Sequence, residues 1–390
     1  MTASRFWRLA PILLLLSLAA CVARPPVPHL TLEPVRFADL PGWRDDHLGT
    51  ALAAFAKSCG VLASKADGIA IGPPGLQLTA GDWRASCAAA AQLADDDTAA
   101  RAFFETYFSP YLAGNNGEDE GLFTGYYEPL LHGARERGGK YQTPILKRPP
   151  DLVSVDLGRF RPAWHGERIA GRVVDGALLP YDTRAAIEQG SLDGMALALC
   201  WVDDPVDAFF LQVQGSGRVE LPDGSMIGLG YDGQNGQAYV AIGRLLIARG
   251  VLTPETTSLQ SIRAWIEAHP MQGAALMDED PSYVFFRETN GDGPVGAEGV
   301  LLTPRRSLAV DPNFIPLGTP IYLTASGGAI SLQRLMVAQD TGGAITGPVR
   351  GDVFWGFGAD AEAKAGAMRA RGHYYLLLPK NVTPQRIAFR

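Results

Sequence analysis

The sequence predicts a mainly β protein that carries helices near its N-terminus, and three observations lead to this fold class. The 390 residues include 45 glycines and 28 prolines without a repeat period, an excess that is typical of many turns and short strands. Hydrophobic residues make up 47% and charged residues 19% of the chain, a balance that excludes a disordered protein. Short apolar runs dominate after residue 122, without the regular helices of a βαβ chain.

The chain begins with an export signal. Arg5 and Arg8 precede an apolar run at residues 9–20, which is shorter than the roughly 20 residues of a spanning helix and predicts a secretory signal over residues 1–20. The run ends in Leu18-Ala19-Ala20-Cys21. This ending resembles a bacterial lipobox, in which Cys21 becomes the lipidated N-terminus after cleavage. An ordinary signal peptide with a chance cysteine is the alternative.

The segment after the signal predicts a tether and a location. Residues 21–30 are rich in proline, which favours an extended linker. Val22 follows the cysteine, and by resemblance to bacterial lipoproteins this favours the periplasmic face of the outer membrane of a Gram-negative bacterium. The lipid would be the contact of this protein with the membrane.

Residues 45–110 are alanine-rich, and their apolar residues have helical spacing. Export permits disulfides, and Cys59 and Cys87 in this region are the candidate pair. Cys200 lies in an apolar run, so we expect a buried small residue there rather than a nucleophile.

From residue 122 onward, turn residues separate runs that predict strands. The runs 209–213 and 218–221 are interpreted as strands, and the Pro-Asp-Gly-Ser at 222–225 predicts a hairpin turn. Residues 239–249 and the region around 259–266 have the apolar spacing of helices. Strands are predicted again in the C-terminal part, at residues 307–310, 321–323, 334–338, 353–355 and 374–378.

The charge and histidine content exclude other classes of function. Lys and Arg number 34 against 41 Asp and Glu, and no basic patch dominates, so a nucleic-acid partner is not expected. None of the six histidines pairs at metal-ligand spacing. The sequence therefore implies neither a metal nor an organic cofactor.

The strongest candidate for chemistry is Asp340, which ends an apolar run and is followed by Gly342 and Gly343. Such a carboxyl would lie at the rim of a sheet, where partial desolvation raises its pKa and keeps a proton available near neutral pH. An ordinary turn is the alternative. Asp311 and Asp352 border two further strand-like runs, and the three acids together suggest a small barrel with acids near its openings.

Seven blocks of this sequence, in order, resemble the membrane-bound lytic murein transglycosylase A family. The likeness runs from about residue 120 to 379, whereas residues 30–110 match poorly. The blocks are residues 123–129, 213–217, 231–239, 281–286, 306–311, 334–345 and 351–358.

The resemblance implies a double-psi β-barrel domain with a second β domain inserted into it and a groove between them. Carried over to this chain, residues 31–130 plus 276–390 would form the barrel domain together with its N-terminal helical part. Residues 131–275 would form the insert and the other wall of the groove.

The resemblance also implies an activity on peptidoglycan glycan strands in cell wall turnover. The family cleaves the β-1,4 bond between N-acetylmuramic acid and N-acetylglucosamine without water and leaves 1,6-anhydro-muramic acid ends, as an exotransglycosylase and hence a lyase. Asp340 is predicted to protonate the leaving oxygen and then to take the proton of the attacking C6 hydroxyl. Asp352 would orient it, Asp311 would hold a barrel turn, and Gly342 and Gly343 would admit the sugar.

Aromatic and polar residues of the matching blocks are the candidates for sugar binding, because sugar rings pack on aromatic planes. Adjacent strand residues point to opposite faces, so at most one of the two neighbouring tyrosines faces the groove. By resemblance, the barrel side supplies Thr124, Gly125, Tyr126 and Tyr127, and the insert supplies Gln214, Ser216 and Tyr231.

Two other functions remain open at this point. Asp340-Thr341-Gly342 resembles the motif of aspartic proteases, but that chemistry needs two carboxylates sharing a proton, and a second Asp-Thr-Gly is absent from the sequence. A non-catalytic wall-binding lipoprotein is the second alternative. Analysis of the glycan products distinguishes all three.

Overall fold

The computed structural model describes residues 27–93, 96–164, 167–289 and 293–382. The predicted signal, Cys21 and most of the predicted tether lie outside these ranges. Within them, no helix has the length and the apolar character needed to cross a membrane.

The N-terminal part combines three helices with the first strands. Cys59 on the first helix and Cys87 on the second form a disulfide, and the Asp96 side chain accepts a hydrogen bond from the Ala99 N–H at the start of the third. The elements are β1 (Leu30–Pro34), α1 (Leu48–Ala63), α2 (Arg84–Ala90), α3 (Asp97–Tyr107), β2 (Phe108–Asn115) and β3 (Gly121–Glu128).

The described residues of the middle part include most of the short strands and five α-helices. Its strands are β4 (Leu130–Ala134), β5 (Thr143–Leu146), β6 (Val153–Asp156), β7 (Arg168–Val174), β8 (Ala177–Pro180), β9 (Ala198–Val202), β10 (Ser216–Glu220), β11 (Met226–Gln234) and β12 (Val284–Thr289). Its helices are α4 (Arg184–Glu188), α5 (Pro205–Gln214), α6 (Ile242–Ala248), α7 (Leu259–Ala268) and α8 (Pro270–Asp278).

The C-terminal part confirms the strands that the sequence predicts there. Apolar runs bounded by turn residues become strands that are buried over most of their length. The elements are β13 (Ser307–Val310), β14 (Pro320–Gly327), β15 (Ile330–Asp340), β16 (Arg350–Phe357), α9 (Ala359–Ala367) and β17 (Arg369–Pro379).

Six of these strands close into a barrel. Their order is β17-β14-β15-β13-β16-β3, and β3 pairs back with β17 to close the ring. The pairs β13–β15 and β16–β3 are parallel. The start of β17 pairs with β3 and its end with β2, so that β2 and β1 extend the sheet outside the ring. The barrel core continues into the packing of α1, α2 and α3, which confirms the predicted fold class of a barrel with N-terminal helices.

A second sheet lies in the middle of the chain, with the order β12-β11-β10-β4-β9-β5, and β6, β7 and β8 form a third. The second sheet has its own apolar core, as expected for an inserted β domain. One predicted domain boundary needs correction. All of residues 276–390 were expected to belong to the barrel domain. Strand β12 pairs along its whole length with β11, so residues 284–289 pack with the insert.

The interpretation of residues 209–213 as a strand is wrong, because these residues lie in helix α5. Asp204 accepts a hydrogen bond from the Val206 N–H at the start of this helix, Pro205 occupies its first turn, and Gly215 ends it at a φ of 78°. The helix is buried on two sides: Leu211 packs into the second-sheet core, whereas Phe210 packs with α6, α7 and α8. Burial on two sides gives a helix the continuous apolar run of a buried strand.

Candidate active site

The candidate site is built around strand β13, at the point where Ala309 pairs with a neighbour on each side. Ala309 is in register with Asp340 of β15 and with Asp352 of β16. Cross-strand neighbours point to the same face of a sheet, so both carboxyls leave the sheet on one side. A bulge in the β13–β15 pairing, which skips Gln339, brings Asp340 to that face.

Strand β3 adds two further side chains to this face. Thr124 is in register with Asp352, and Tyr126 is in register with Phe354. The Tyr126 and Phe354 rings lie 5.2 Å apart and belong to a small apolar cluster with Ala309. That cluster is separate from the barrel core, so this face of the sheet points away from that core.

The Asp340 carboxyl accepts three hydrogen bonds. Its Oδ1 accepts from the backbone N–H groups of Ala297 and Thr341, at 2.9 Å each. Its Oδ2 accepts from the Tyr126 hydroxyl at 2.8 Å. Burial raises the pKa of Asp340, while these three donors act in the opposite direction because they stabilise the carboxylate.

The Asp352 carboxyl has fewer donors. The Thr124 hydroxyl donates to its Oδ1 over 2.7 Å, and Arg350 donates in turn to the same hydroxyl over 2.9 Å. Burial raises the pKa of Asp352 to about 6, against the lowering effects of Arg350 and Thr124, and the charge of Asp340 adds to the rise. A carboxyl with this pKa exchanges a proton near neutral pH, as a general acid must.

Asp311 follows strand β13 and accepts hydrogen bonds from two loops. Its Oδ1 accepts from the Asn313 N–H at 3.0 Å, and its Oδ2 accepts from the Gly347 N–H at 2.7 Å. The second bond fixes the end of the loop that follows Asp340, so both oxygens of Asp311 accept from backbone N–H groups.

The loop after Asp340 faces the insert. Gly342 and Gly343 are both exposed, and a Cβ on Gly343 would meet only the Cβ of Tyr239, at 3.9 Å. Tyr239 belongs to the middle part of the chain and is 38% exposed. Its pKa is raised to about 12, chiefly by burial, and the charge of Asp352 contributes to that rise. The loop that follows Asp340 and Tyr239 of the middle part are therefore neighbours.

The sequence interpretation missed Tyr239 and Arg350. Tyr239 is the last residue of the matching block 231–239, but it was not identified as a residue of the site. Arg350 stands two residues before Asp352 on one strand, a spacing that places both side chains on the same face. This period-two spacing could have identified it.

The structure does not bring every predicted binding residue to the acid pair. Tyr126 reaches Asp340, but Tyr127 is 3% exposed and belongs to the barrel core. Gly125 lies on the same inner face, where a Cβ would come within 2.5 Å of the Trp355 indole nitrogen. The assignment of Gly125 and Tyr127 to the sugar-binding set is thereby corrected, because odd positions of β3 point into the core.

Two of the three predicted insert residues, Gln214 and Ser216, hold structural positions. The Gln214 side chain accepts a hydrogen bond from the Tyr127 backbone N–H at 3.0 Å, which joins α5 to β3. Ser216 is buried at the start of β10, opposite Gly230. Tyr231 is 46% exposed on β11, and Arg287 donates to its carbonyl. Of these three, Tyr231 is the one open to a ligand.

Two further sequence expectations concern cysteine and metals. Cys200 is fully buried, and burial raises the pKa of its thiol to about 12, so it is not a reactive thiolate. Across the part of the chain that the structure describes, no three His, Cys, Asp or Glu side chains come together as metal ligands would.

Two family models match the chain. The MltA specific insert domain matches residues 122–287, and the 3D domain matches residues 306–378. The second of these contains Asp311, Asp340 and Asp352, the three acids described above.

Curated relatives match over a large part of the chain. The membrane-bound lytic murein transglycosylase A of Escherichia coli (strain K12) is 34% identical over 264 residues, which cover 65% of each chain. The protein of the same name from Vibrio cholerae is 33% identical over 284 residues, which cover 70% of each chain. The match to the E. coli protein thus spans just under two thirds of its length.

Solved structures extend the match to most of the fold. A membrane-bound lytic murein transglycosylase from Agrobacterium tumefaciens has a TM-score of 0.81 and 33% identity, covering 91% of this chain and 99% of that one. A structure of E. coli MltA with bound chitohexaose has a TM-score of 0.63 and 27% identity, covering 92% and 93%. With the two domain models and these relatives, the chain belongs to the membrane-bound lytic murein transglycosylase A family.

Proposed function

We propose that the protein is a lytic transglycosylase that cleaves the β-1,4 bond between N-acetylmuramic acid and N-acetylglucosamine in peptidoglycan and leaves 1,6-anhydro-muramic acid ends. One observation carries this proposal: two carboxyls with raised pKa values, Asp340 and Asp352, lie on one face of the barrel, and an exposed pair of glycines begins two residues after Asp340. Membership of the family supports the same activity.

Between the two acids, the hydrogen bonds favour Asp352 as the proton donor, although sequence reasoning selected Asp340. Two backbone N–H groups point at one oxygen of Asp340 and the Tyr126 hydroxyl points at the other. An N–H group can only donate, so this environment favours the carboxylate. Asp352 has no backbone donor among the described residues, and with a pKa of about 6 it holds a proton more readily near neutral pH.

The reaction then needs a single acid that acts twice. Asp352 gives its proton to the glycosidic oxygen as the bond from that oxygen to C1 of the muramic acid breaks. The C6 hydroxyl of the same sugar attacks C1, and its proton passes to the Asp352 carboxylate as the C1–O6 bond forms. The acid is restored and no water is consumed. Because the nucleophile belongs to the substrate, proximity replaces the second carboxylate that hydrolases use.

The other groups of the site support this step. The Asp340 carboxylate is an anion close to the carbon that becomes positively charged, and it stabilises that charge electrostatically. Tyr126 and the N–H of Ala297 fix its orientation. Arg350 positions Asp352 through the Thr124 hydroxyl.

We place the glycan strand along the border between the barrel and the insert. The E. coli MltA structure with 27% identity holds bound chitohexaose, and chitohexaose is a β-linked amino-sugar chain. In this protein, Tyr239 and Tyr231 on the insert and the open glycine loop on the barrel would contact the sugars. For the described residues we propose a barrel domain of residues 31–129 plus 293–382 and an insert of residues 130–289.

The location follows from the N-terminus and from the relatives. Relatives named membrane-bound support an envelope location in a Gram-negative cell. The finer proposal is cleavage after residue 20, a lipid on Cys21, and anchoring at the periplasmic face of the outer membrane. A tethered enzyme works at high local concentration on a wall that does not diffuse.

Mass spectrometry of the products from purified sacculi tests the proposed activity. The protein should release fragments with anhydro ends, which are lighter by one water than the products of hydrolysis. Reducing ends instead of anhydro ends would contradict the proposal and indicate a hydrolase. Retention on sacculi without any soluble product would indicate a wall-binding protein, and proteolysis blocked by a pepstatin-like inhibitor would indicate an aspartic protease.

A further inference from the structure

A group of buried polar side chains lies between helix α1 and the end of strand β15. Gln339 is fully buried, and its side-chain Nε2 donates to the Ala54 carbonyl and to the Ser58 hydroxyl, at 2.9 Å each. Its Oε1 accepts from the Ser307 hydroxyl of β13 at 2.6 Å. The residue immediately before Asp340 is thus tied to two other elements. The proposed reaction does not use these side chains.

Gln339 is also the residue at which the pairing of β13 and β15 shifts. The pairing skips it between Ala338 and Asp340, and a bulge residue is not held by the ladder of strand hydrogen bonds. Here its side chain makes three hydrogen bonds of its own. These bonds hold the bulge that brings Asp340 to the face shared with Asp352.

Ser58 connects this bulge to a second element that contacts Asp340. Ser58 is fully buried on α1, and its hydroxyl accepts from Gln339 and donates to Oε2 of Glu298 over 2.6 Å. A hydroxyl has a single proton to donate, and Ser58 spends it on Glu298. This residue lies in the turn of residues 296–299, outside the helices and strands.

The turn 296–299 supplies a backbone donor to Asp340. The Glu298 N–H donates to the Gln339 carbonyl at 3.1 Å, and the Ala297 N–H donates to Oδ1 of Asp340 at 2.9 Å. The turn therefore rests directly on the end of β15. Because Ala297 and Glu298 are adjacent, the placement of Glu298 decides where the Ala297 N–H points.

The turn has few other side-chain contacts. Lys57 donates to the Leu301 carbonyl at 3.0 Å and to the Thr303 hydroxyl at 2.9 Å, which holds the chain after the turn. Within the described residues, the side chains that hydrogen-bond to the turn itself are those of Asp340 and Ser58. Removal of the Ser58 hydroxyl therefore frees the turn on the side of α1.

We propose that Ser58 is a positioning residue for Asp340. Its hydroxyl ties the bulge at Gln339 to Glu298, and the turn that contains Glu298 orients the Asp340 carboxylate. This proposal rests on the proposed function, because Ser58 acts through a member of the acid pair. A charge stabilises a transition state best when it is fixed in place before the reaction. Without the Ser58 hydroxyl, Asp340 loses a fixed donor and rotates more freely.

Two pairs of variants test the proposal. Ser58→Ala removes the hydroxyl. Ser86→Ala is its matched control, because Ser86 is also buried and its hydroxyl donates to the Trp83 carbonyl at 2.9 Å, away from the turn. Glu298→Leu removes the acceptor of Ser58, whereas Glu298→Gln keeps an oxygen for it. The measurements are kcat, KM and the pH–rate profile for anhydro-product release from soluble peptidoglycan oligomers, and the thermal unfolding temperature.

The expected result is a loss of rate without a loss of binding. Ser58→Ala should lower kcat about 3–10-fold, the size of one hydrogen bond, and leave KM unchanged. Ser86→Ala should lower the unfolding temperature about as much as Ser58→Ala does but should leave kcat unchanged. Glu298→Leu should match Ser58→Ala in kcat, and the conservative Glu298→Gln should recover most of that rate.

The pH–rate profile gives a readout that a loss of stability does not move. The Ala297 N–H lowers the pKa of Asp340, and Asp340 acts as a carboxylate in the proposed reaction. Loss of this donor should therefore shift the low-pH limb of the profile to higher pH in Ser58→Ala. The limb should stay in place in Ser86→Ala.

Two results would overturn the inference while leaving the activity intact. One is an unchanged kcat in both Ser58→Ala and Glu298→Leu. The other is an equal loss of kcat in Ser58→Ala and Ser86→Ala without a shift of the low-pH limb, which would mean that Ser58 only supports the fold. If Ser58→Ala does not fold, the two variants of the partly buried Glu298 decide the question. Failure of the proposed function looks different, because the unmodified protein would then release no anhydro product.

Discussion

The barrel and the insert hold the residues of the candidate site in different ways. On the barrel, Asp340 and Asp352 extend from strands that pair on both sides, and their oxygens accept fixed hydrogen bonds at 2.7–2.9 Å. On the insert, Tyr239 precedes the short helix α6 and is 38% exposed. Rigid placement suits bond chemistry, whereas an exposed side chain can adjust to a ligand. We therefore expect the chemistry on the barrel and contacts to the sugars on the insert.

The largest effect is expected from Asp352→Asn, which removes the proton donor from the barrel. We expect kcat to fall by about 10²–10⁴-fold, the usual contribution of general acid catalysis, with an unchanged thermal unfolding temperature. The measurement is the rate of anhydro-muropeptide release. Asp223→Asn, in the exposed turn between β10 and β11, is the control and should leave the rate unchanged. A comparable rate in Asp352→Asn would assign the proton to Asp340, as sequence reasoning did.

The second prediction separates the two acids by pH. Asp352 must be protonated to act, so kcat/KM should fall as the pH rises through about 6. The negative charge of Asp340 contributes to this raised pKa. Asp340→Asn should therefore lower the Asp352 pKa and move the falling limb to lower pH, with a rate reduced about 10–100-fold because the transition-state charge loses a partner.

A pH–rate profile of the Asp340→Asn variant checks this prediction. A limb that stays in place would mean that the two carboxyls do not interact. A limb that disappears together with all activity would make Asp340 the essential acid and would reverse the roles proposed for the pair.

The third prediction tests which side chains of strand β3 point toward the acid pair and which point into the core. Tyr126→Phe removes the hydroxyl that donates to Asp340 while it keeps the ring on Phe354, so kcat should fall about 3–10-fold, the size of one hydrogen bond. Tyr127→Phe is the matched control, because its side chain points into the core and its rate should not change. Rate assays on both variants measure the difference. Equal effects in the two variants would contradict the assignment of faces.

The smallest effect is expected from Glu298, whose protonation contributes to the stability of the barrel. Glu298 follows Ala297, which donates to Asp340, and its Oε2 accepts from Ser58 while its Oε1 has no partner within the described residues. Burial raises its pKa from 4.5 to about 7. The folded state thus binds this proton more tightly than the unfolded state, so its contribution to stability is present below pH 4.5 and is lost as the pH rises through about 7.

Glu298→Gln removes this titration. The unfolding temperature of the variant should therefore improve relative to that of the parent as the pH is raised from 4.5 to 8, by a few degrees. Thermal unfolding across this pH range is the measurement. A difference that is independent of pH would show that Glu298 keeps an ordinary pKa in the folded protein.

Sequence reasoning predicted the elements with a local signature. Residues 307–310 form β13 as predicted, because an apolar run between turn residues needs no distant contact to identify it. It failed for α5, whose apolar residues are buried on two sides, and for α8, because Pro270 follows the predicted helix around 259–266 and can end one helix as well as begin the next. A proline is compatible with both positions.

The sequence by itself determined which residues are available: three acids at the ends of apolar strands, a tyrosine pair on one strand, and a chain with the blocks of one family. Only the tertiary structure decided which of them meet. Strand register brings Asp340 and Asp352 to either side of Ala309. It also directs the side chain of Tyr126, and not that of Tyr127, toward Asp340. Donors distant in sequence, such as Ala297 and Tyr126, then act against the rise that burial causes in the pKa of Asp340, because a pKa depends on the neighbours that surround the carboxyl.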